Sequence, residues 1–426
     1  MSETPAADPT PESPPQKVEE RSRRAVLLGG VAAAGIGAAS AVGLESFVSG
    51  REAQARDAAR GEADTANGLR KVPFHGEHQA GVEMLPQAHQ SLVSLALRPE
   101  ADRDTIRRLL VTLTDDAARL TAGNYALADS EPELALVPAR LTITFGFGRG
   151  LVDRVAPGAA PTWLTDLPPF GVDRLQDRWN GGDLVLQIAA DDPLTVAHAQ
   201  RMLLKDSRTA TTVKWIQTGF LRAYGSERAG RTPRNLLGQV DGTKNVTPGT
   251  PDYTNVVWQG STTNPDWLAG GTGFVVRRIE MLLDKWDRLD RSGRELSVGR
   301  RMDSGAPLTG KREDDEPDFS ATTPLGFPVI AEFAHIRRAR TDDPRQRIFR
   351  RAYNYDLTPE GDQVSNSGMI FTSFQHDVTA QFLPIQRRID EVDLLNEWVV
   401  PIGSAVFAIP PGCAEGGFIG ETLFAG

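Results

Sequence analysis

The tightest constraint on the fold is a pattern that occurs twice. Gly182-Asp183-Leu184-Val185-Leu186-Gln187-Ile188 reads as a strand, meets Asp192, and leads into a helix carrying Gln200-Arg201. Gly368-Met369-Ile370-Phe371-Thr372-Ser373-Phe374 reads the same way, meets Asp377, and leads into a helix carrying Gln386-Arg387. Strand, aspartate and helix in one order, set down twice, point to duplication of a single α+β unit. The intervening patterns agree. Ile106, Leu109, Leu110, Leu113, Ala117 and Leu120 share one helical face, ended by Gly123. Leu141, Ile143, Phe145 and Phe147 alternate as a half-buried strand does. A helix is predicted over 193–204 and a strand over 212–221; in the second half, a strand over 270–279 and a helix over 280–289. No G-x-G-x-x-G loop follows the first strand, which favours α+β over a doubly wound nucleotide fold. The expected division lies near residue 230, giving domains over 71–230 and 231–426.

At 426 residues, 40% of them apolar and 24% charged, the chain has the make-up of a soluble globular protein with a sizeable core. A formal net charge of -9 argues against a nucleic-acid partner, which needs clustered Lys and Arg on an electropositive surface. The single cysteine, Cys413, excludes an intramolecular disulfide and a cysteine-based metal cluster.

The N-terminus reads as an address. Residues 2–20 are rich in Pro, Glu and Ser without apolar periodicity, a composition expected to stay disordered. Ser22-Arg23-Arg24-Ala25-Val26-Leu27 opens an Ala, Gly and Val run to Leu44, and Ala53-Gln54-Ala55 follows. Paired arginines, a mildly hydrophobic run and a small-residue site resemble a twin-arginine export signal. A membrane anchor is the second reading, weakened by the many Gly and Ala residues. On the first reading residues 1–55 are a disordered N-terminus plus signal, and 56–70 a linker. The twin-arginine translocase would then carry the folded protein to an extracellular, periplasmic or cell-surface location, which suits a protein that acquires its cofactor in the cytoplasm.

Two stretches stand out as candidate chemistry. In Gly238-Gln239-Val240-Asp241-Gly242-Thr243-Lys244-Asn245, glycines flank one carboxylate and let the backbone pass close to something flat. An Asp-Gly dipeptide alone is far more often an ordinary turn. Of six histidines, His75 and His78 lie three apart, but Gly76 and Gly81 favour a loop over a metal-binding helix. His198 falls in an amphipathic helix and reads as a surface or core-edge residue. His335 differs: Phe333-Ala334-His335-Ile336-Arg337-Arg338 passes from an apolar stretch into a basic one containing Arg340, Arg345, Arg347, Arg350 and Arg351. Because Ile348, Phe349, Tyr353 and Tyr355 interleave with these arginines, some should be partly buried and face anions such as cofactor carboxylates. The stretch 299–308 and the acidic 311–318 read as a long surface loop, either lid or connection.

Taken with the Phe-Ala-His-Ile segment, the G-x-x-D-G motif at Gly238 to Gly242 and Arg350-Arg351-Ala352-Tyr353-Asn354-Tyr355 resemble the haem-dependent dye-decolorizing peroxidases. The resemblance extends to Pro401-Ile402-Gly403-Ser404-Ala405-Val406-Phe407 and Gly420-Glu421-Thr422-Leu423-Phe424, and it covers most of the chain after residue 70. It implies two ferredoxin-like domains, each with an antiparallel sheet flanked by helices, and haem b mainly in the C-terminal half. His335 would be the axial ligand of the haem iron, with Asp390 or Asp393 behind it, Asp393 being the choice. Asp241 and Arg350 would act on hydrogen peroxide from the distal side. Gly242, Thr243, Lys244, Arg340, Arg350, Phe371 and Phe382 would contact the haem. The partners implied are hydrogen peroxide and a dye-like, phenolic or other one-electron donor; a homo-oligomer is compatible.

The residue types make chemical sense. A carboxylate can take a proton from one peroxide oxygen and return it to the other, and an arginine can stabilise the negative charge that develops. Carboxyl groups have a reference pKa near 3.9 against about 6.5 for imidazole, so a distal aspartate implies an acid-shifted optimum. Tyr353, Tyr355 and Trp398 are candidate relays for electrons from bulky donors, with core packing the commoner role for any one of them. Two other readings stand beside the peroxidase: a haem-handling protein that releases iron or carries haem, and a non-catalytic α+β dimer with structural histidines.

Overall fold

Both halves of the chain build the same four-stranded sheet, and the two sheets close on each other. The computed structural model describes residues 66–228, 230–258 and 264–425. The first half runs β1 (His89–Leu97), α1 (Arg103–Thr121), β2 (Thr142–Phe147), α2 (Arg149–Val155), β3 (Leu184–Ala190), α3 (Pro193–Ser207) and β4 (Thr211–Phe220). The second runs α4 (Pro251–Val257), β5 (Thr272–Met281), α5 (Leu283–Trp286), α6 (Arg291–Val298), α7 (His335–Ala339), β6 (Phe349–Leu357), β7 (Asn366–Gln375), α8 (Leu383–Val392), β8 (Val399–Ile409) and α9 (Glu421–Phe424). Every strand pairing is antiparallel. The sheet order is β4-β1-β3-β2 in one half and β8-β5-β7-β6 in the other, so fourth, first, third and second strands lie side by side in each copy. This is the duplicated ferredoxin-like arrangement. Phe147 pairs with Ala408 and Phe220 with Asn354, closing the two sheets into one eight-stranded barrel.

The repeated aspartates have a local reason. Asp192 accepts from the Thr195 backbone N–H at 2.8 Å, with Pro193 at the first position of α3. Asp377 accepts from the Ala380 N–H at 2.8 Å, at the start of a π-helical turn (Val378–Phe382) that runs into α8. Each satisfies a donor that the first turn leaves orphaned. Asp102 does the same for α1 through Thr105, and Gly123, at φ 72°, takes the left-handed conformation just past its end.

Barrel closure explains where patterning misleads. β2 and β3 are buried along their whole length instead of on one face. On the outside Ile143, Phe145, Leu184 and Leu186 pack against α1 and α3. Inside, Val185 joins Leu92, Phe274, Val276, Phe374 and Phe407. Of the helix predicted over 280–289 only α5 forms, because β5 runs on to Met281 and the next helix, α6, begins at Arg291. His198 is neither at the surface nor at the core edge: it is 4% exposed, with Nε2 2.9 Å from Asp129 Oδ2. His75 and His78 lie in a loop, where His78 Nδ1 is 2.7 Å from Gly270 O and its ring stacks on Trp258. The export-signal and linker segments up to residue 65 lie outside the described residues. Among the described residues no helix is long and apolar enough to cross a membrane.

Strand parity then sets up the site. In β6 the paired arginines point to opposite faces. Arg351 enters the barrel and donates to the carbonyls of Gly81, Val82 and Met84, so it meets backbone oxygens and not a cofactor's carboxylates. Arg350 faces outward, beneath the segment that carries α7 and α8.

Candidate active site

In the first half the space outside the sheet is filled with apolar side chains, Phe145 and Phe147 among them. The matching space of the second half is hollow, a cavity of about 460 Å³. The outer face of its sheet supplies Arg277, Ile279, Met281, Met369, Phe371 and Val399. Ile336 from α7 and Ile385 and Ile389 from α8 cover the other side, with Phe382 at the π turn. Apolar walls with a few converging polar groups are the usual make-up of a small-molecule site.

The cavity brings together nearly all the residues singled out in the sequence: Asp241, Thr243, Lys244, His335, Arg340, Arg350, Phe371, Phe382 and Asp393. Gly242 does not line it. Its contribution is backbone shape, with φ at 127° and the position of a Cβ lying 3.4 Å from Thr232 Cγ2. Tyr353, Tyr355 and Trp398 are buried elsewhere; Trp398 packs against Trp286 at 5.3 Å. Asp390 accepts from the backbone of Gly171 and Val172 and does not approach His335.

His335 begins α7, and its Nδ1 lies 2.6 Å from Oδ2 of Asp393, a side chain with no exposure. Burial by itself would favour the neutral imidazole. The charge and hydrogen bond of Asp393 outweigh it and raise the pKa on balance. With Nδ1 engaged, Nε2 is the nitrogen left for a ligand, and a carboxylate behind a histidine orients the ring and raises its donor strength.

Asp241 and Arg350 form an ion pair at 2.8 Å that remains open to the cavity, with 13% and 32% of their side chains exposed. Two asparagines hold it. Asn235 accepts from the Leu237 and Gln239 N–H groups and donates to Asp241 Oδ2 at 3.3 Å, tightening the turn in which Gly238 takes φ 81°. Asn245 donates to Arg350 O at 2.6 Å and accepts from Arg350 N at 2.9 Å, clamping the loop onto β6. The acidic segment is a wall of the site. Glu313 accepts from Thr243 at 2.9 Å, and Glu316 bridges Lys244, at 3.0 Å, and Arg340. Those two cations hold the Glu316 carboxyl below its ordinary range, Lys244 foremost. Arg300, 6% exposed, donates to Gly305 O and Glu313 O, and burial lowers its pKa.

Sequence reasoning passed over Asn235, Asn245, Arg277, Arg300 and Glu316. Arg277 carried a signal, because a charged residue inside an apolar strand must find a partner; here it is Asp173, with Ser404 Oγ at 3.3 Å. The asparagines carried none beyond the turn preference of their type. Among the described residues no group of three His, Cys, Asp or Glu side chains is placed to hold a bare metal ion. The site offers one imidazole nitrogen to a metal that arrives within a larger, largely apolar group; Lys244, Arg340 and Arg347 also line it, the first two bridged by Glu316 and the third paired with Asp252 at 2.7 Å, and acidic substituents would compete with those carboxylates for them.

The N-terminal model of the Dyp-type peroxidases matches residues 79–221 and the C-terminal model 232–414. A dye-decolorizing peroxidase of Thermobifida fusca (strain YX) is 38% identical over 335 residues, covering 77% of this chain and 78% of that protein. A deferrochelatase of Yersinia pestis is 36% identical over 362 residues, covering 81% and 82%. The crystal structure of a DyP-type peroxidase from Cellulomonas bogoriensis superposes with a TM-score of 0.82 at 50% identity, over 84% of this chain and 99% of that one.

Proposed function

We propose, for a chain that belongs to the Dyp-type peroxidase family and is a haem peroxidase, that Asp241 and Arg350 are its peroxide-activating pair and His335 its iron ligand. The residues present fit haem. The cavity volume lies within the usual range of about 300–1,000 Å³ for such sites, its walls are apolar, one imidazole nitrogen is open, and the cations that line it suit two carboxylates. Bound there through His335 Nε2, haem supplies the iron centre at which electrons pass between a reducing donor and peroxide.

The chain's own residues do the rest. Asp393 fixes the His335 ring by its hydrogen bond at Nδ1. An Asp241 carboxylate oxygen accepts the proton from one peroxide oxygen and delivers it to the other, which then leaves as water. The Arg350 guanidinium, 2.8 Å from Asp241 and permanently charged, stabilises the negative charge that develops as the O–O bond lengthens. The apolar walls limit the water that would compete for the proton. The observation that carries this reading is the Asp241–Arg350 pair open to the same cavity as His335 and Asp393.

A second reading, release of iron from haem or haem carriage, takes its support from the deferrochelatases among the relatives. The pair speaks for the peroxidase, since storage needs no proton shuttle. Mixing the holoprotein with stoichiometric peroxide separates the two: a rapid, stoichiometric change of the haem absorption band supports catalysis, and slow bleaching alone supports the carrier. The paired arginines Arg23-Arg24 and the run behind them further support export by the twin-arginine translocase. Replacing both with lysine should leave the protein in the cytoplasm; unchanged export would remove that part of the proposal.

A further inference from the structure

The barrel interior holds a charge that the catalytic cavity does not use. Along β5 side chains alternate, so Arg277 lines the cavity while Arg278 enters the barrel on the side of Phe274 and Val276. Arg278 is 4% exposed. Its guanidinium lies 4.4 Å from the centre of the Trp179 ring and 3.8 Å from that of Tyr355, and Nη1 donates to Gln217 Oε1 at 3.3 Å. No carboxylate oxygen of the described residues comes within 4.0 Å; Glu280, two residues along the same strand, acts on it only from farther away. Burial lowers its pKa, yet a guanidinium does not lose its proton inside a protein, so the charge stays.

The surrounding polar atoms share one character. Arg278 Nε, Trp179 Nε1 and Gln217 Nε2 are all buried without a protein partner and can donate, and the buried Tyr355 hydroxyl, which lies against the guanidinium, keeps its own proton to give. Buried donors left unpaired are costly, and an interior charge without a counter-charge more so. Arg351, also inside the barrel, has three backbone carbonyls around it. Arg278 has a single amide oxygen and two ring faces. The group that completes its shell is an acceptor, and the net charge makes it an anion. The short 3-10 turn Asp177–Trp179 closes the barrel end over this point, with the Trp179 Cβ 2.7 Å from where a side chain at Gly403 would begin. The enclosure selects for small size.

We propose that Arg278, Trp179, Gln217 and Tyr355 form a binding site inside the barrel for a small monovalent inorganic anion of halide size. The full-length holoprotein is melted in sodium bromide and in sodium gluconate at equal ionic strength, and crystals grown in bromide are measured at the bromine absorption edge. The site predicts a saturable rise in Tm of about 2 °C or more in bromide, and an anomalous peak in contact with Arg278 Nε. Tyr355→Phe removes one donor and should raise the bromide midpoint at least about threefold; Arg278→Met should abolish the dependence. If Arg278→Met does not fold, the Tyr355→Phe shift decides. Identical melts in the two salts, or bromide confined to surface positions as an adventitious ion only, would overturn the proposal and leave the Gln217 amide oxygen and the two aromatic faces to compensate the charge.

Discussion

Asn245 is bonded through its amide to the backbone of Arg350 and not to the side chain of Asp241 or Arg350, yet its removal should slow the reaction with peroxide. Its amide makes two hydrogen bonds to the backbone of Arg350, at 2.6 and 2.9 Å, and these join the Asp241 loop to β6. Each bond contributes about 0.5–1.5 kcal/mol net, so Asn245→Ala should cost the fold about 1–3 kcal/mol. Part of that loss reappears as misplacement of Asp241 relative to Arg350. With about 1.36 kcal/mol per factor of ten, and about 100-fold the cost of a 1 Å displacement, we expect a loss of about tenfold in the second-order rate with peroxide. Stopped-flow mixing of the holoprotein with excess peroxide measures the rate, and urea unfolding measures the stability. Because both changes act on one unit, Asn245→Ala combined with Asp241→Asn should be little slower than Asp241→Asn alone. A peroxide rate within twofold of the parent, with a lowered unfolding midpoint, would show that Asn245 serves stability only and would refute the positioning argument.

Asp241→Asn should reduce the peroxide rate on the order of 10²–10⁴-fold and remove the acid-shifted optimum; an optimum that survives the change would exclude Asp241 as the base. Asp393→Asn should weaken haem retention about 10- to 100-fold, read as transfer of haem to an apo-acceptor protein. Gly238→Ala should destabilise the turn by about 1 kcal/mol or more, because φ is 81° there and the Cβ would meet Met302 Cε at 3.0 Å. A different test concerns Asp206, whose carboxyl is pushed up to about 7 by burial and then by its neighbour Asp116. The folded state then holds a proton that the unfolded chain releases near pH 4, so the contribution is complete below that pH and is lost as pH rises through about 7. Melting temperatures should fall from pH 5 to 8 by a few degrees more in the parent than in Asp206→Asn, and equal slopes would contradict the raised carboxyl pKa.

What could be read from the sequence was what local physics determines. The repeated strand, aspartate and helix pattern revealed the duplication because each aspartate caps the helix that follows its strand. The half-buried reading of β2 failed because alternation reports two faces of different character, and closure of the barrel buries both. The helix predicted over 280–289 shrank to α5, because Met281 ends a strand while Leu283 and Trp286 pack a single short turn into the same cluster. His335, Asp241 and Arg350 could be proposed because the ordered motifs that carry them resemble those of the dye-decolorizing peroxidases, and the structure brings all three to one cavity. Asn245 and Glu316 could not, because their importance lies in partners 105 and 72 residues away, a separation that composition and periodicity do not encode.

The opposed directions of Arg350 and Arg351 carry a consequence for how this gene can change. A deletion or insertion of one codon within β6 would exchange the two side chains between barrel and cavity, together with every residue beyond it. Arg350 would lose Asp241, and the carbonyls of Gly81, Val82 and Met84 would lose their donor. Length changes should therefore be rare between residues 348 and 357 and common in the exposed turn at 358–364, a difference that sequencing a randomised insertion library selected for haem binding would expose.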